Sequence, residues 1–269
     1  MTTLARLLDL APVRALRRAR FNARFATPSG GGACRGRFTS FAEALRSAPP
    51  SRAIGYDSAP AAGMYRDRLD HVFAADYPLL YWMQRVGRST DQLIDFGGHV
   101  GVSHYAFGRY LGASMPARWT VCDVPAVVAA GTTLARERGA RALAFVSQLA
   151  EAGAADVFLA AGSLQYLEPD CAALLGELPT LPRVVLVNKL PTHPTHSFVT
   201  LQHIGVGYCP YRITARSALA ALLLPLGYAL QDEWTNPDLT CIVPFEDDAG
   251  PITYRGYCFT RAEATDRIA

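Results

Sequence analysis

Residues 93–101 read LIDFGGHVG, and this stretch decides the fold. Leu93, Ile94 and Phe96 make the short apolar run of a buried strand, and Gly97-Gly98 ends it in a turn too tight for side chains. From Val102 onward, Val102, Tyr105, Ala106, Arg109 and Tyr110 recur at helical spacing. Strand, glycine turn and helix form the unit that brings a nucleotide-like ligand against bare backbone, with helix N–H groups facing it.

The same alternation continues outward. Apolar runs of strand length fall at 92–96, 119–123, 143–146, 156–160 and 183–188, separated by helical segments at 102–111, 126–138 and 170–178. Strands that are apolar throughout and alternate with helices predict an α/β, Rossmann-like sheet, mostly parallel and covered on both faces. The ending differs. A helix over 217–226 stops at Gly227, and then YALQDEW (228–234) and YRGYCFT (254–260) follow with no crossover helix between them, which suits a terminal antiparallel pair. Residues 1–90 read as helical and loop-rich. Residues 28–36 are a flexible break, Ser40 to Glu43 has capping-box spacing, and Asp76 and Pro78 open a helix that Gly87 ends. The expected organisation is a helical N-terminal cap region over 1–90 and a sheet domain over 91–269.

Composition narrows the partners. The chain has 269 residues, 50% hydrophobic and 18% charged, and a formal net charge of +3. That charge is too mild to argue for nucleic acid. No apolar run approaches the ~20 residues of a membrane span. The N-terminus is Arg-rich, but Arg6 and Pro12 break its apolar stretches, so it makes a poor secretory signal and reads as a solvated or domain-packing helix in preference to a basic membrane-surface one. None of the six cysteines forms a CxxC pair, and a core this size needs no staples, so free thiols and a cytoplasmic location are expected.

A dinucleotide fingerprint fails, because His99 and Val102 stand where its second and third glycines belong. A P-loop fails for want of Gly-Lys-Ser/Thr. The run from Asp95 through Gly97, Gly98 and His99 to Gly101 instead resembles the first motif of class I S-adenosylmethionine-dependent methyltransferases, with His99 at the middle glycine. WTVCD (119–123) ends on Asp123, a carboxylate able to grip a ribose diol, and VPAVV from Val124 resembles the DLPxV segment of small-molecule O-methyltransferases. Ser147 and Gln148 stand where such enzymes contact adenine, and DVFLAAGSLQY (156–166), with Gly162 and Tyr166, resembles their fourth strand and the loop beyond it. SLQYLEP, VLVNKLP, FVTLQ, CPYRI and GYALQDEW, with GRFTSFAEAL and IGYDS, are similar to a bacterial family of methyltransferases linked with cell-surface polysaccharide genes. That resemblance covers most of residues 36–260. It implies S-adenosylmethionine bound at Asp95, Gly97, Gly98, His99, Gly101, Asp123, Val124, Ser147, Gln148 and Gly162. It also implies methyl transfer to a small acceptor, such as a sugar or a nucleotide-linked sugar, lined by Tyr166.

The catalytic residue is the open point. Related O-methyltransferases carry a histidine base where this chain has Gln165, which can orient an acceptor but cannot take its proton. The remaining candidates are Lys189, the only lysine in the chain, and His193, His196 and His203. Residues 178–231 contain no carboxylate, which disfavours magnesium and suggests an anionic acceptor with Arg212 as its anchor. His193-x-x-His196 has no cysteine near it, and no metal is expected. His99 is expected to keep its backbone out of the positive-φ region that glycine supplies. A non-catalytic cofactor-binding protein and an N- or C-methyltransferase remain as alternatives.

Overall fold

The computed structural model describes residues 10–87 and 90–261. Strands β3 (Gln92–Phe96), β4 (Arg118–Cys122), β5 (Leu143–Val146), β6 (Val157–Ala161) and β7 (Val184–His193) are parallel, in the order β5-β4-β3-β6-β7. β11 (Thr253–Arg261) pairs antiparallel with β7 and carries β10 (Tyr228–Thr235) on its outer edge. Chain order runs outward from β3 on one side and then from β6 on the other. The crevice at the carboxyl ends of β3 and β6 is therefore a topological switch point, where open α/β sheets take ligands.

Both faces are covered, as all-apolar strands require. On one face Leu93, Trp119, Val121, Leu159 and Leu186 pack against α4 (Tyr77–Gly87) and α5 (Val102–Leu111). On the other, Ile94, Phe158, Val185 and Val187 pack against α7 (Cys171–Gly176) and α8 (Ala218–Leu223). Between β4 and β5, α6 (Pro125–Glu137) completes the crossover. Residue 90 marks no break in packing. α4 precedes it, yet buries Leu79, Leu80, Met83 and Val86 in the sheet's own core, roughly 1.5–3 kcal/mol for each large side chain.

The N-terminal region is less helical than its sequence suggests. α1 (Ala11–Phe25), α2 (Phe41–Arg46) and α3 (Ala59–Ala62) are interspersed with β1 (Cys34–Phe38) and the two-residue β2 (Ala53–Ile54). The first nine residues, Arg6 among them, lie outside the described residues. β1 pairs antiparallel with β8 (Phe198–His203) and β2 parallel with β9 (Gly207–Ala215), so the N-terminal strands complete a second small sheet around a hairpin inserted after β7, joined to the main sheet where Thr192 and His193 of β7 pair parallel with Thr214 and Ala215 of β9. Strand alternation gives this sheet two different faces. Val199 packs with Phe41 and Ala44, and Leu201 and Tyr208 pack with Phe25, all against the N-terminal helices. Phe198, Tyr211 and Ile213 face the other way, toward Tyr166 and the coil before β11. No described helix is long and apolar enough to cross a membrane.

Candidate functional site

The 97–101 turn sits at the switch point, and its glycines answer to close neighbours. Gly97 has φ +70, and a Cβ there would fall 2.3 Å from Ser163 Cβ. A Cβ on Gly98 would fall 2.4 Å from Asp95 Oδ2, because the Asp95 carboxylate lies directly beneath the turn. Asp95 is buried, with Oδ2 accepting from Trp119 Nε1 at 3.1 Å and Oδ1 without a partner. Burial pushes its carboxyl up to about 7, against the pull of the Trp119 N–H.

His99 departs from expectation, for its φ is +55. The left-handed region admits histidine more readily than most side chains, and here the surroundings hold it. Its main-chain N–H donates to Asp123 Oδ2 at 2.9 Å. Its ring turns away from the turn into the N-terminal region, where Nε2 donates to the Ala61 carbonyl at 3.0 Å and the Tyr65 ring packs edge-on. Asp123, just past β4, takes a second N–H from Val124 at 2.8 Å. Each Asp123 oxygen thus keeps a lone pair for an incoming diol. Burial raises the Asp123 carboxyl, and the two backbone donors partly offset this.

The flanks are less uniform. Ser147 is exposed at the end of β5, and Gln148 caps the short 149–152 helical turn reciprocally with Glu151. Residues 57–65 lie across the N-terminus of α6, where Asp57 Oδ1 accepts from the Ala126 N–H at 2.9 Å. Beyond β6, Gly162 has φ +90, Gln165 Nε2 donates to the Gly162 carbonyl at 2.8 Å, and Gln165 Oε1 is buried with no partner. The Tyr166 hydroxyl donates to Gln202 Oε1 at 2.7 Å, and its ring meets Tyr56 and Tyr211 edge-on.

Lys189 reaches this edge through a bulge. The register between β7 and β11 slips between Val187 and Leu190, and Lys189 takes φ +56. β-Bulges re-aim side chains, and this one brings the Lys189 stem alongside Gly162. Its ammonium pairs with Asp76 Oδ1 at 2.6 Å. Neighbouring Asn188 donates from Nδ2 to the Ala75 carbonyl at 2.8 Å and accepts on Oδ1 from Trp234 and Asn236. Asp76, read from sequence only as a helix opener, is therefore the lysine's partner. No local signal marks that pairing, which joins segments far apart in the chain.

Four candidates from the sequence fall away from this edge. His203 is fully buried on the opposite face of the second sheet, Nε2 donating to the Thr27 carbonyl and Nδ1 accepting from the Gly205 N–H, so neither ring nitrogen can serve as a base here. His193 lies four residues past Lys189, roughly 10 Å or more farther along the strand. Its Nδ1 accepts the N–H groups of Thr195 and His196. The His196 ring lies tilted against that of His193 with ring centroids 3.8 Å apart, in the turn before β8. Arg212 has its guanidinium engaged elsewhere. It points to the helix-covered face, its guanidinium over the Phe41 ring and Nη2 donating to the Glu168 carbonyl at 2.5 Å. Among the described residues, no cluster of three or more His, Cys, Asp or Glu could hold a metal ion.

No protein-family model and no curated protein matches the chain. Solved structures do match in fold. One is the 1,6-didemethyltoxoflavin-N1-methyltransferase of Burkholderia thailandensis, with bound 1,6-didemethyltoxoflavin and S-adenosylhomocysteine. Its TM-score is 0.50 at 19% identity, over 75% of this chain and 82% of that one. Another is an O-methyltransferase family protein from Burkholderia thailandensis, with TM-score 0.50 and 14% identity over 92% of this chain and 70% of that one. The chain has the fold of Rossmann-like, class I methyltransferases. Within that methyltransferase fold, the 97–101 turn, Asp95 and Asp123 stand at the switch-point crevice, with Gln165 and the Lys189–Asp76 pair at the neighbouring edge.

Proposed function

We propose that the protein is an S-adenosylmethionine-dependent methyltransferase acting on a small-molecule acceptor. The observation that carries this reading is the join between Asp123 and the 97–101 turn, which sets a diol-binding carboxylate beside a glycine cradle at the switch point. The residues fit the cofactor. Asp123 has acceptor capacity left for the ribose, the partly buried Val124 offers apolar surface beside it, and the unpartnered Asp95 Oδ1 places an acceptor beneath the turn. When bound, the cofactor supplies an electrophilic methyl group on a sulfonium.

The chain's own part is placement. Methyl transfer is an in-line displacement, driven chiefly by holding the nucleophile close and aligned with water excluded. Residues 57–65, Tyr56 and Tyr166 cover the crevice, and Gln165 presents a buried acceptor oxygen toward which an acceptor hydroxyl or amine can donate. The Asp76–Lys189 pair puts a carboxylate and an ammonium at the same edge, and we assign proton acceptance to Asp76, since Lys189 holds its ammonium against it. The resemblance to methyltransferases linked with polysaccharide genes supports a sugar hydroxyl as the acceptor and a cytoplasmic site of action. A second reading, transfer to an amine nitrogen, is favoured by the absence of a histidine at this edge. A neutral amine carries its own lone pair.

Titration calorimetry should show binding of S-adenosylmethionine and S-adenosylhomocysteine, with no comparable binding of NAD. Tight NAD binding with no response to either sulfur nucleoside would sink the proposal. Mass spectrometry of hydroxyl- and amine-bearing acceptors after incubation with labelled S-adenosylmethionine separates the two readings.

A further inference from the structure

Two thiols meet where the second sheet is closed over by coil. Cys34 on β1 and Cys241, between β10 and β11, have their sulfurs 3.6 Å apart although 207 residues separate them in sequence. We propose that Cys34 and Cys241 form a reversible disulfide, Cys241 meeting the oxidant and Cys34 resolving it.

The surroundings distinguish the two thiols. Cys34 is 2% exposed and fixed by strand pairing, opposite Gln202 of β8. Cys241 is partly exposed and lies in coil with no strand partner. Bonding distance requires an approach of about 1.5 Å, to the S–S length of ~2.05 Å, and the coil side is free to supply it. Phe198, Tyr211, Ile213, Val243 and Ala249 belong to the same apolar cluster as the two thiols.

Reactivity follows the same asymmetry. The hydrogen bond between the thiols pulls Cys241 below its ordinary value and, with burial, pushes Cys34 well above its own. Thiolate is the nucleophile in exchange, so Cys241 reacts first. Burial pushes Cys122, Cys171, Cys209 and Cys258 up to about 12, which leaves them inert.

With a low-molecular-weight disulfide as oxidant, the Cys241 thiolate attacks one of its sulfurs, forming a mixed disulfide and releasing the other half as a thiol. Cys34 then gives up its proton and attacks Cys241 Sγ, releasing the second thiol. Two cysteine thiols are oxidised, one small disulfide is reduced to two thiols, and two electrons pass. The bond ties the coil before β11 to β1. Tyr254, the second residue of β11, bonds Tyr211 across 2.8 Å, so the cross-link fixes one wall of the tyrosine cluster around Tyr166.

The full chain, equilibrated with oxidised and reduced glutathione, would be acid-quenched, alkylated, digested without reduction and mapped by mass spectrometry. The expected map has one linked peptide pair, Cys34 to Cys241, lost in excess reduced glutathione, with the other four cysteines alkylated. In Cys34→Ser, Cys241 should retain glutathione as a mixed disulfide. Should that variant not fold, Cys241→Ser, at the partly exposed position, should leave Cys34 unmodified. A wild-type map in which Cys34 stays reduced, or pairs with any cysteine other than Cys241, overturns the proposal.

Discussion

The main-chain N–H of His99 donates to Asp123 Oδ2 across 2.9 Å, tying the glycine turn after β3 to the end of β4. One carboxylate therefore has two tasks, holding the turn and facing the crevice. Asp123→Ala should weaken S-adenosylmethionine by about 1–3 kcal/mol, the order for a lost hydrogen bond to a charged group. Asp123→Asn keeps one acceptor oxygen and should lose less. Calorimetry on both variants checks the order; equal affinities for wild type and Asp123→Ala would remove Asp123 from the site.

The backbone of His99 yields a second prediction. A left-handed φ costs a non-glycine residue roughly 1–2 kcal/mol, and here the ring's bond to Ala61 and its contact with Tyr65 offset that cost. His99→Ala keeps the strain and loses the ring, whereas His99→Gly loses the ring but sheds the strain. The glycine variant should be the more stable of the two by about 1 kcal/mol in urea unfolding. Alanine matching or exceeding glycine would contradict the assigned conformation.

These two residues show how unevenly the fold and the site were legible. Strands β3 to β7 announce themselves, since each is an apolar run long enough to cross a doubly covered sheet. β1 does not. CRGRF has a glycine with φ +72 and two arginines, and it is a strand because Gln202 and Val199 lie opposite it, more than a hundred residues later. The β8–β9 hairpin was hidden for the same reason, and with it the burial of His203. Asp95 and Asp123 could be read because they end strands. The Lys189–Asp76 pair could not, because a bulge sets the lysine's direction and pairing across the sheet sets the bulge.

Asp95 should make cofactor binding depend on pH. Its carboxyl is raised to about 7 by burial, so its charged form is disfavoured in the fold. The sign follows from linkage: the neutral form stabilises the fold at low pH, and that contribution is lost as pH rises from the unfolded value near 4 through about 7. Asp95→Asn should therefore gain on wild type in stability as pH goes from 5 to 8, by a few kcal/mol at most. A cationic cofactor reverses the preference, since it favours the carboxylate. Wild-type affinity for S-adenosylmethionine should fall by up to about tenfold per pH unit below 7, and Asp95→Asn should show a flat profile. Parallel pH profiles for the two proteins would place Asp95 outside the linkage.

Arg212 should behave as a structural residue. With its guanidinium stacked on Phe41 and bonded to the Glu168 carbonyl, Arg212→Gln should cost about 1 kcal/mol of stability. Turnover of charged and neutral acceptors should keep the same ratio, and that ratio should not respond to salt through Arg212. A selective rise in KM for anionic acceptors in this variant would restore Arg212 to the acceptor site.

Lys189 and Asp76 should prove to be one unit. Their side chains are 25% and 10% exposed, so the 2.6 Å pair is desolvated well beyond an ordinary surface bridge. Removing one partner of a buried pair costs about 3–5 kcal/mol, because the other is left charged and unsatisfied, and partial exposure here lowers that to roughly 2–4. Lys189→Met and Asp76→Asn should each fall in that range. The double variant should lose at least 1 kcal/mol less than the sum of the two. Asn188 separates pairing from folding. It holds the Ala75 carbonyl directly, so the N-terminal region should stay docked in Lys189→Met, with cofactor affinity little changed. Methyl transfer should fall in both single variants, and in Asp76→Asn it should not recover at higher pH, since the amide accepts no proton. Urea unfolding of the four proteins, with single-turnover rates under saturating S-adenosylmethionine, measures both effects. Additive stabilities would mean that the two side chains act independently. Full activity in Asp76→Asn would return the search for a proton acceptor to the acceptor molecule itself, and with it favour the amine reading.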